Sequence, residues 1–306
     1  MAGREDTLLN QIRARVSIPR NSEIVVGIGD DCAVLRPRGA REDLLFTTDQ
    51  LIENVHFRRD THPAPAAGHK ALARGLSDIA AMGGKPKFCL VSLAAPKWAD
   101  SRWISGFYRG LLRLAGQAGA VLAGGDLARS KQFSCDIVVC GGVPRGRALL
   151  RSGARAGDCI YVSGRLGGSA LGLKTQAGRA WRVHLRPSPR LALGRFISEQ
   201  LHATAAMDLS DGLSIDLRRL AIASSLAAEI VNPPVFRGAS LEQALHGGED
   251  YELLFTVPAI MDARVPASHQ GIPLTKIGVM RRGPAGAVFL NTRRLAPLGY
   301  DHFRQS

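Results

Sequence analysis

Acidic residues in this chain concentrate where apolar segments end, among glycine, serine and threonine. They occur in six motifs, as Asp30 and Asp31, Asp49, Asp78, Asp126, Asp208 and Asp211, and Glu249 and Asp250. Carboxylates that only solvate a helix lie on its polar face with Lys or Arg four residues away, and these do not. Carboxylate oxygens on tight loops suit Mg²⁺, which binds one or two carboxylates and fills its other positions with water and phosphate oxygens. We therefore predict a site for several magnesium ions and phosphate groups.

The residues beside these carboxylates support the same chemistry. Glycine allows the backbone to approach a phosphate closely and tolerates a positive φ. Thr47, Thr48 and Ser210 add neutral oxygen atoms. A single Gly-Asp pair is more typical of a turn than of a ligand, but the repetition of such motifs in one chain favours the phosphate site.

The usual sequence signatures of nucleotide binding are missing. Gly83-Gly84-Lys85 is followed by proline and lacks the spacing of a P-loop. The segment 27–32 departs from the G-x-G-x-x-G pattern, and the H-R-D and D-F-G motifs of protein kinases do not occur. If the protein uses ATP, we expect carboxylate-held magnesium to bind its phosphates.

Composition describes an ordinary globular protein with excess positive charge. The 306 residues include 45% hydrophobic and 22% charged residues, and the formal net charge is +14. This length fits one large or two medium domains of about 100–200 residues. Of the 40 basic residues 33 are Arg and 7 are Lys, scattered without a run of five or interleaved aromatics. We therefore expect no nucleic-acid partner, although the charge could attract a small polyanion.

Cysteine usage and hydropathy indicate a cytoplasmic protein. The five cysteines form no C-x-x-C pair, which argues against a disulfide framework and a zinc knuckle and favours buried, reduced thiols. No apolar stretch approaches the roughly 18 residues of a membrane span. The first residues lack a secretory signal pattern, so we expect no membrane association.

Strands and helices interleave along the chain and predict an α+β fold in two layers. Predicted strands lie at 25–29, 44–48, 87–95, 120–123, 135–140, 159–163, 227–231, 251–257, 274–280 and 287–290. Predicted helices lie at 65–82, around Trp103–Leu114, and at 166–177, 189–202 and 211–225. The Gly- and Arg-rich segment 143–148 is the best boundary, which gives domains 1–146 and 147–306.

Seven motifs occur in an order and spacing that resemble the thiamine-monophosphate kinase family, from about residue 7 to Phe303. They are GIGDDCAVL (27–35), TTDQLIENVHF (47–57), KALARGLSDIAAMGGKP (70–86), GGD (124–126), HLRPSPR (184–190), MDLSDGL (207–213) and GGEDYELLFTVP (247–258). The resemblance implies ATP-dependent phosphorylation of thiamine monophosphate, the last step of thiamine diphosphate biosynthesis. It also implies an aminoimidazole-ribonucleotide-synthetase-like fold, in which an N-terminal α/β domain dimerises through its strands beside a C-terminal α+β domain.

The resemblance also implies roles for individual residues. The implied magnesium ligands are Asp31, Asp49, Asp78, Asp126, Asp208 and Asp211, with Thr47 and Thr48 assisting. The implied ATP contacts are Tyr108, Gly125, Asp126, Arg151 and Ser210, and the implied thiamine-phosphate contacts are His56, Glu249 and Tyr300. No residue is expected to act as general base or nucleophile, because the acceptor phosphate, with its second pKa near ~6, is already ionised at neutral pH.

Some alternatives stay open from the sequence. His56 could be a loop histidine bonded to the backbone, and Tyr300 could be a packing aromatic. Two positions depart from the family pattern, since Gly168 stands where related sequences often carry Asp and Asn54 where Gly is common. Selenophosphate synthetase is disfavoured because residues 1–24 contain no Cys, and the hydrogenase-maturation relative because the sequence lacks a terminal Cys.

Overall fold

The computed structural model describes residues 4–19 and 21–303. Helices span Arg4–Arg15 (α1), Ala64–Ala81 (α2), Ser101–Ala118 (α3), Gly168–Thr175 (α4), Gly178–Leu185 (α5), Leu191–Glu199 (α6), Leu213–Ala223 (α7) and Leu241–His246 (α8), with a 3₁₀ turn at Ala259–Arg264. Strands span Ile24–Val26 (β1), Ala33–Leu35 (β2), Glu42–Ile52 (β3), Lys85–Ala95 (β4), Val121–Arg129 (β5), Ser134–Pro144 (β6) and Cys159–Ser163 (β7). The later strands are Ala205–Asp208 (β8), Ala227–Ile230 (β9), Leu253–Val257 (β10), Ser268–His269 (β11), Ile272–Arg281 (β12), Val288–Leu290 (β13) and Arg293–Arg294 (β14).

The first sheet is built from the N-terminal half of the chain. Its strand order is β1-β2-β3-β6-β4-β5, and every pair is antiparallel except β4 with β5. Successive side chains of a strand point to opposite faces, so Leu45, Thr47 and Leu51 of β3 turn inward. The helices α2 and α3 cover that inner face.

Glycines set the distance between α2 and α3. A Cβ at Gly68 would lie 1.9 Å from the carbonyl oxygen of Phe107, and one at Gly110 would lie 1.9 Å from that of Pro65. The two backbones therefore pack against each other without side chains between them. This close contact fixes α2, the helix that carries Arg74 and Asp78 of the site described below.

The opposite face of the first sheet is open. All of β5 except the half-buried Leu122 is exposed, and its apolar side chains include Val121, 63% exposed. Leu127, 69% exposed, is aligned with the buried Leu93 and therefore lies on the inner face, at the uncovered edge of the sheet. Leu90 of the neighbouring β4 is also exposed.

The second sheet has the order β14-β13-β9-β12-β7-β10-β8, with β11 paired to β12. Its pairs are antiparallel except β13 with β9. The strands β7 and β10, and β8 at the edge, are buried along their whole length. Helix α7 packs on one face, while α6 and the end of α2 pack on the other. Helix α2 therefore lies between the two sheets and contacts both.

The α+β class predicted from the sequence is confirmed, with differences in single elements. The predicted helix 166–177 is observed as α4, which ends at Thr175 because Gln176 adopts a positive φ, and the following helix α5 was not predicted. Helix α1 and the short α8 were not predicted, and β3 is longer than its predicted strand. The five cysteines are free and buried, as predicted. Across the described ranges no helix is long and apolar enough to span a membrane.

Candidate active site

Three carboxylates from distant parts of the sequence converge beside α2. Asp31 lies in the loop between β1 and β2, Asp78 near the end of α2, and Asp208 is the last residue of β8. One oxygen atom from each lies within 4.8 Å of the others. Since α2 contacts both sheets, the packing of the whole molecule brings the three groups together.

Hydrogen bonds fix the orientation of each carboxylate. Thr47 Oγ1 donates to Asp78 Oδ2 at 2.5 Å, and Ser77 Oγ donates to Asp208 Oδ2 at 2.7 Å. Arg151 Nη2 donates to Asp31 Oδ1 at 2.6 Å. The other oxygen of Asp31, Oδ2, is buried and has no hydrogen-bond partner within residues 4–19 and 21–303. A buried, unpaired oxygen on a carboxylate that lies beside two other carboxylates is a position that a cation would fill.

The electrostatics of this cluster favour a bound cation. Burial raises the pKa of Asp78 well above its ordinary value, and the charges of Asp49 and Asp208 raise it further. Burial and the charge of Asp31 likewise raise the pKa of Asp208. A divalent cation offsets the repulsion that adds to these shifts, and hard oxygen donors are the ligands that Mg²⁺ prefers. The residues present therefore fit magnesium.

A cavity of about 350 Å³ opens beside the cluster. Asp49, Asp78, Asp208 and Asp211 lie in its wall. The remaining lining residues described here are Glu5, Val55, His56, Arg74, Ser169, Ala170, Leu173, Ser210, Gly248, Glu249, Tyr251, Tyr300 and His302. The cavity thus joins the carboxylate cluster to a more aromatic end of the site.

His56 presents a free N–H group at that aromatic end. Its Nδ1 accepts a hydrogen bond from the Ile52 N–H at 3.0 Å, so the proton of the neutral ring lies on Nε2. Burial and the charge of Arg74 lower the pKa of His56 to about 3, which keeps the ring neutral. Nε2 is buried and has no hydrogen-bond partner in the described part of the chain. His56 is therefore bonded to the backbone and also faces the cavity, and its predicted contact with thiamine phosphate stays a prediction.

Glu249 is held in the cavity wall by a buried lysine. Lys70 Nζ lies 2.8 Å from Glu249 Oε1 and also donates to the His56 carbonyl oxygen at 3.0 Å. Burial opposes ionisation of Glu249, but Lys70, His184 and Arg74 outweigh it and lower the pKa to about 2. Glu249 also adopts a positive φ of 63°, a conformation that non-glycine residues hold mainly where surrounding contacts enforce it.

Helix α1 and the segment 300–302 cover the outer side of the cavity. The His302 N–H donates to Glu5 Oε2 of α1 at 3.3 Å, and the ring of His302 contacts those of His56 and Tyr300 edge-on. Asp6 of α1 accepts from Arg219 at 3.3 Å, and Arg219 also donates to Asp211. Helix α1 is therefore docked over the site by charged contacts.

Comparisons with known proteins cover nearly the whole chain. Residues 29–143 match the family described as AIR synthase related protein, N-terminal domain. The thiamine-monophosphate kinase of Escherichia coli (strain K12) is 39% identical over 99% of this chain and 99% of its own length. That of Bacillus subtilis (strain 168) is 36% identical over 93% of this chain and 95% of its own length. The solved structure of AaThiL complexed with AMPPCP and TMP is similar with a TM-score of 0.84 and 32% identity, covering 98% of this chain and 97% of that one.

The chain belongs to the thiamine-monophosphate kinase family. It is therefore a phosphotransferase, and the family resemblance predicted from the motifs is confirmed. The departures at Gly168 and Asn54 have local structural reasons. A Cβ at Gly168 would lie 2.8 Å from the ring of Phe236, and Asn54 adopts a φ of 64°, which asparagine tolerates better than most residues.

The structure gathers most of the residues assigned by family resemblance. Around the cavity and the cluster it places Asp31, Thr47, Asp49, His56, Asp78, Arg151, Asp208, Ser210, Asp211, Glu249 and Tyr300. Thr48 is exposed, since its side chain points to the face of β3 opposite Thr47. Tyr108 packs against the core beside Phe107.

Gly125 and Asp126 lie on the exposed edge strand β5, outside the cavity wall of the single chain. A Cβ at Gly125 would lie 1.8 Å from the Val91 carbonyl oxygen, so close strand packing accounts for this glycine. The predicted roles of Thr48, Tyr108, Gly125 and Asp126 stay predictions.

Sequence reasoning missed Lys70, Arg74 and Ser77. Lys70, Arg74 and Asp78 follow one another at intervals of four residues on α2, which places them on one face of the helix. Basic residues on the same face as an acidic motif, in a helix that is otherwise apolar and buried, were the signal that could have found them.

Proposed function

We propose that this protein transfers the γ-phosphoryl group of ATP to the phosphate of thiamine monophosphate and so makes thiamine diphosphate. One observation carries the proposal: the cluster of Asp31, Asp78 and Asp208 opens into the cavity that holds Glu249 and Tyr300. The carboxylates suit metal-bound phosphates, and the aromatic end suits an aromatic acceptor. The AaThiL structure complexed with AMPPCP and TMP supports the same pair of substrates.

Magnesium would be held by Asp31, Asp78 and Asp208, with Asp49, Asp211 and Thr47 close by. When bound, the ions would neutralise charge on the phosphates as they approach each other. The chain's own contribution is orientation, because Ser77, Thr47 and Arg151 hold the carboxylates in place. We infer direct, in-line transfer without a general base, because the acceptor phosphate is largely ionised near neutral pH, with a second pKa of ~6.

One Ser–His pair lies beside the cavity, although no residue is expected to act as general base or nucleophile. Ser169 Oγ lies 2.8 Å from His184 Nδ1. His184 is buried under Trp181, and burial, reinforced by the charge of Lys70, lowers its pKa to about 3. The same Nδ1 lies 3.5 Å from Glu249 Oε2, so we assign the pair to the orientation of Glu249 rather than to covalent catalysis.

We also propose that the protein is a homodimer formed through the first sheet, with domains 1–146 and 147–306. The exposed apolar side chains of Leu90, Val121 and Leu127 support this, since large exposed apolar surfaces mark association sites. Asp126 lies three strands from Asp49, about 14 Å away at a strand spacing of ~4.8 Å. In such a dimer Asp126 would act toward the neighbouring protomer. Sedimentation at several concentrations tests the assembly, and a monomer at all of them contradicts it.

The experiment for the activity is direct. Purified protein is incubated with ATP, Mg²⁺ and thiamine monophosphate, and thiamine diphosphate is quantified by chromatography. Unphosphorylated thiamine is the control acceptor, and a chelator is the control for metal. Thiamine diphosphate formed only from the monophosphate and only with Mg²⁺ is the expected result. ATP hydrolysis without thiamine diphosphate would contradict the proposal.

A further inference from the structure

Arg74 lies in the cavity wall, near both the carboxylates and the aromatic end of the cavity. Its Nε and Nη2 donate to Asp49 Oδ1 at 3.4 and 3.2 Å. Burial disfavours its charge, but Tyr251, Asp49 and Glu249 are close enough to raise the pKa of the guanidinium above its ordinary value. Arg74 therefore reaches both halves of the site and stays charged.

The other cations around the cavity are already engaged. The Lys70 side chain is fully buried and bonded to Glu249 and to the His56 carbonyl oxygen. Arg151 donates to Asp31 at 2.6 Å, and Arg219 is shared among three carboxylates. Arg74 makes only two long contacts to a single oxygen, and its Nη1 has no hydrogen bond to the described residues.

The negative charge of the cavity favours a cation that can bind an incoming phosphate. The described lining includes six carboxylates, and its one lysine or arginine is Arg74; the carboxylates belong to Glu5, Asp49, Asp78, Asp208, Asp211 and Glu249. An acceptor phosphate carries about −1.5 to −2 charges at pH 7. Even with metal ions bound at the carboxylate cluster, the acceptor phosphate needs a positively charged partner. A guanidinium offers several N–H donors in a plane that matches phosphate oxygens.

We propose that Arg74 binds the phosphate of the acceptor and thereby makes the site select a phosphorylated acceptor over the free alcohol. This inference rests on the proposed function and adds to it the group that recognises the reacting phosphate. The position follows from the geometry, because an acceptor whose rings lie between His56, Glu249 and Tyr300 extends its phosphate toward Asp49, past Arg74.

Binding measurements test this inference separately from turnover. Titration calorimetry compares thiamine monophosphate with thiamine on the wild type, Arg74→Met and Arg74→Lys, with Mg²⁺ and a non-hydrolysable ATP analogue present. Arg74→Met should weaken binding of the monophosphate about 10- to 100-fold, the usual range for a lost hydrogen bond to a charged group, and leave thiamine binding within about twofold. Arg74→Lys should recover part of the loss, because it keeps the charge without the planar donors. Arg109→Met, an exposed arginine of α3, is the matched control and should behave as wild type.

The outcomes separate this inference from the proposed function. A wild type that forms no thiamine diphosphate contradicts the function itself. A wild type that forms it, together with an Arg74→Met variant that still prefers the monophosphate or loses both ligands equally, overturns only the role of Arg74. If Arg74→Met does not fold by circular dichroism, Arg74→Lys decides, because its preference for the monophosphate must fall below that of the wild type.

Discussion

Replacing Asp78 with asparagine should separate the electrostatics of the carboxylate cluster from its hydrogen bonds. The asparagine oxygen can still accept from Thr47, so the local geometry should persist. The substitution removes one charge from three that approach within 4.8 Å, where a like-charge pair at an effective dielectric constant near 20 repels by about 3 kcal/mol. Partial protonation already relieves some of this repulsion in the wild type, as the raised pKa values indicate. We therefore expect metal-free Asp78→Asn to be more stable than the wild type by about 1–3 kcal/mol.

With Mg²⁺ present, the wild type should instead be more stable than Asp78→Asn. Thermal unfolding with and without Mg²⁺ measures it: the wild type should gain stability with Mg²⁺, and Asp78→Asn should gain much less. Turnover should fall at least about 100-fold, because a metal-held orientation of the phosphoryl group is lost.

Asp43→Asn is the matched control for this experiment. Asp43 is also a buried carboxylate, but it lies outside the cavity wall. Arg36 and the Gly146 N–H donate hydrogen bonds to it there and lower its pKa. This variant should lose stability equally with and without Mg²⁺, because Arg36 loses its charged partner. The reasoning is refuted if Asp78→Asn is destabilised without metal and gains as much from Mg²⁺ as the wild type does.

Three further predictions follow from other parts of the site. Tyr300→Ala should raise the KM for thiamine monophosphate much more than that for ATP, since Tyr300 lines the aromatic end of the cavity, where we propose that thiamine binds. Steady-state kinetics with each substrate varied would show an equal effect on both KM values if Tyr300 only packs the C-terminal segment. Incubation with γ-labelled ATP alone should leave the denatured protein unlabelled, and a label that chases into thiamine diphosphate would overturn direct transfer. Ser169→Ala should keep turnover within about tenfold of the wild type, because the loss of a neutral hydrogen bond costs only about 0.5–1.5 kcal/mol. Lys70→Met should lower the free energy of unfolding by about 2–3 kcal/mol, measured by chemical denaturation. This is less than the roughly 3–5 kcal/mol of a fully buried ion pair, because a quarter of the Glu249 side chain stays accessible at the cavity. An unchanged denaturation midpoint would contradict this prediction.

The sequence by itself determined the local features of this protein. Alternating and helical hydrophobic patterns predicted the long strands and helices, because burial of one face requires those periods wherever the element lies in the fold. The acidic motifs at segment ends predicted a phosphate and metal site, because carboxylates beside glycine on tight loops have few other uses in such number. Helices α1 and α8 were not predicted, because the hydrophobic pattern of α1 is too polar and that of α8 too brief to indicate a helix.

Only the tertiary structure decided which of the candidate residues meet. Asp31, Asp78 and Asp208 converge because α2 packs between two sheets, and no local pattern encodes that placement. Thr47 and Thr48 are equivalent as residue types, but the register of β3 turns one toward Asp78 and the other to the exposed face. Arg74 is one of 33 arginines in the chain, and only the fold shows that it lies among carboxylates. The physical reason is the same in each case: side-chain chemistry belongs to the sequence, whereas distance and burial come from contacts between segments far apart in the chain.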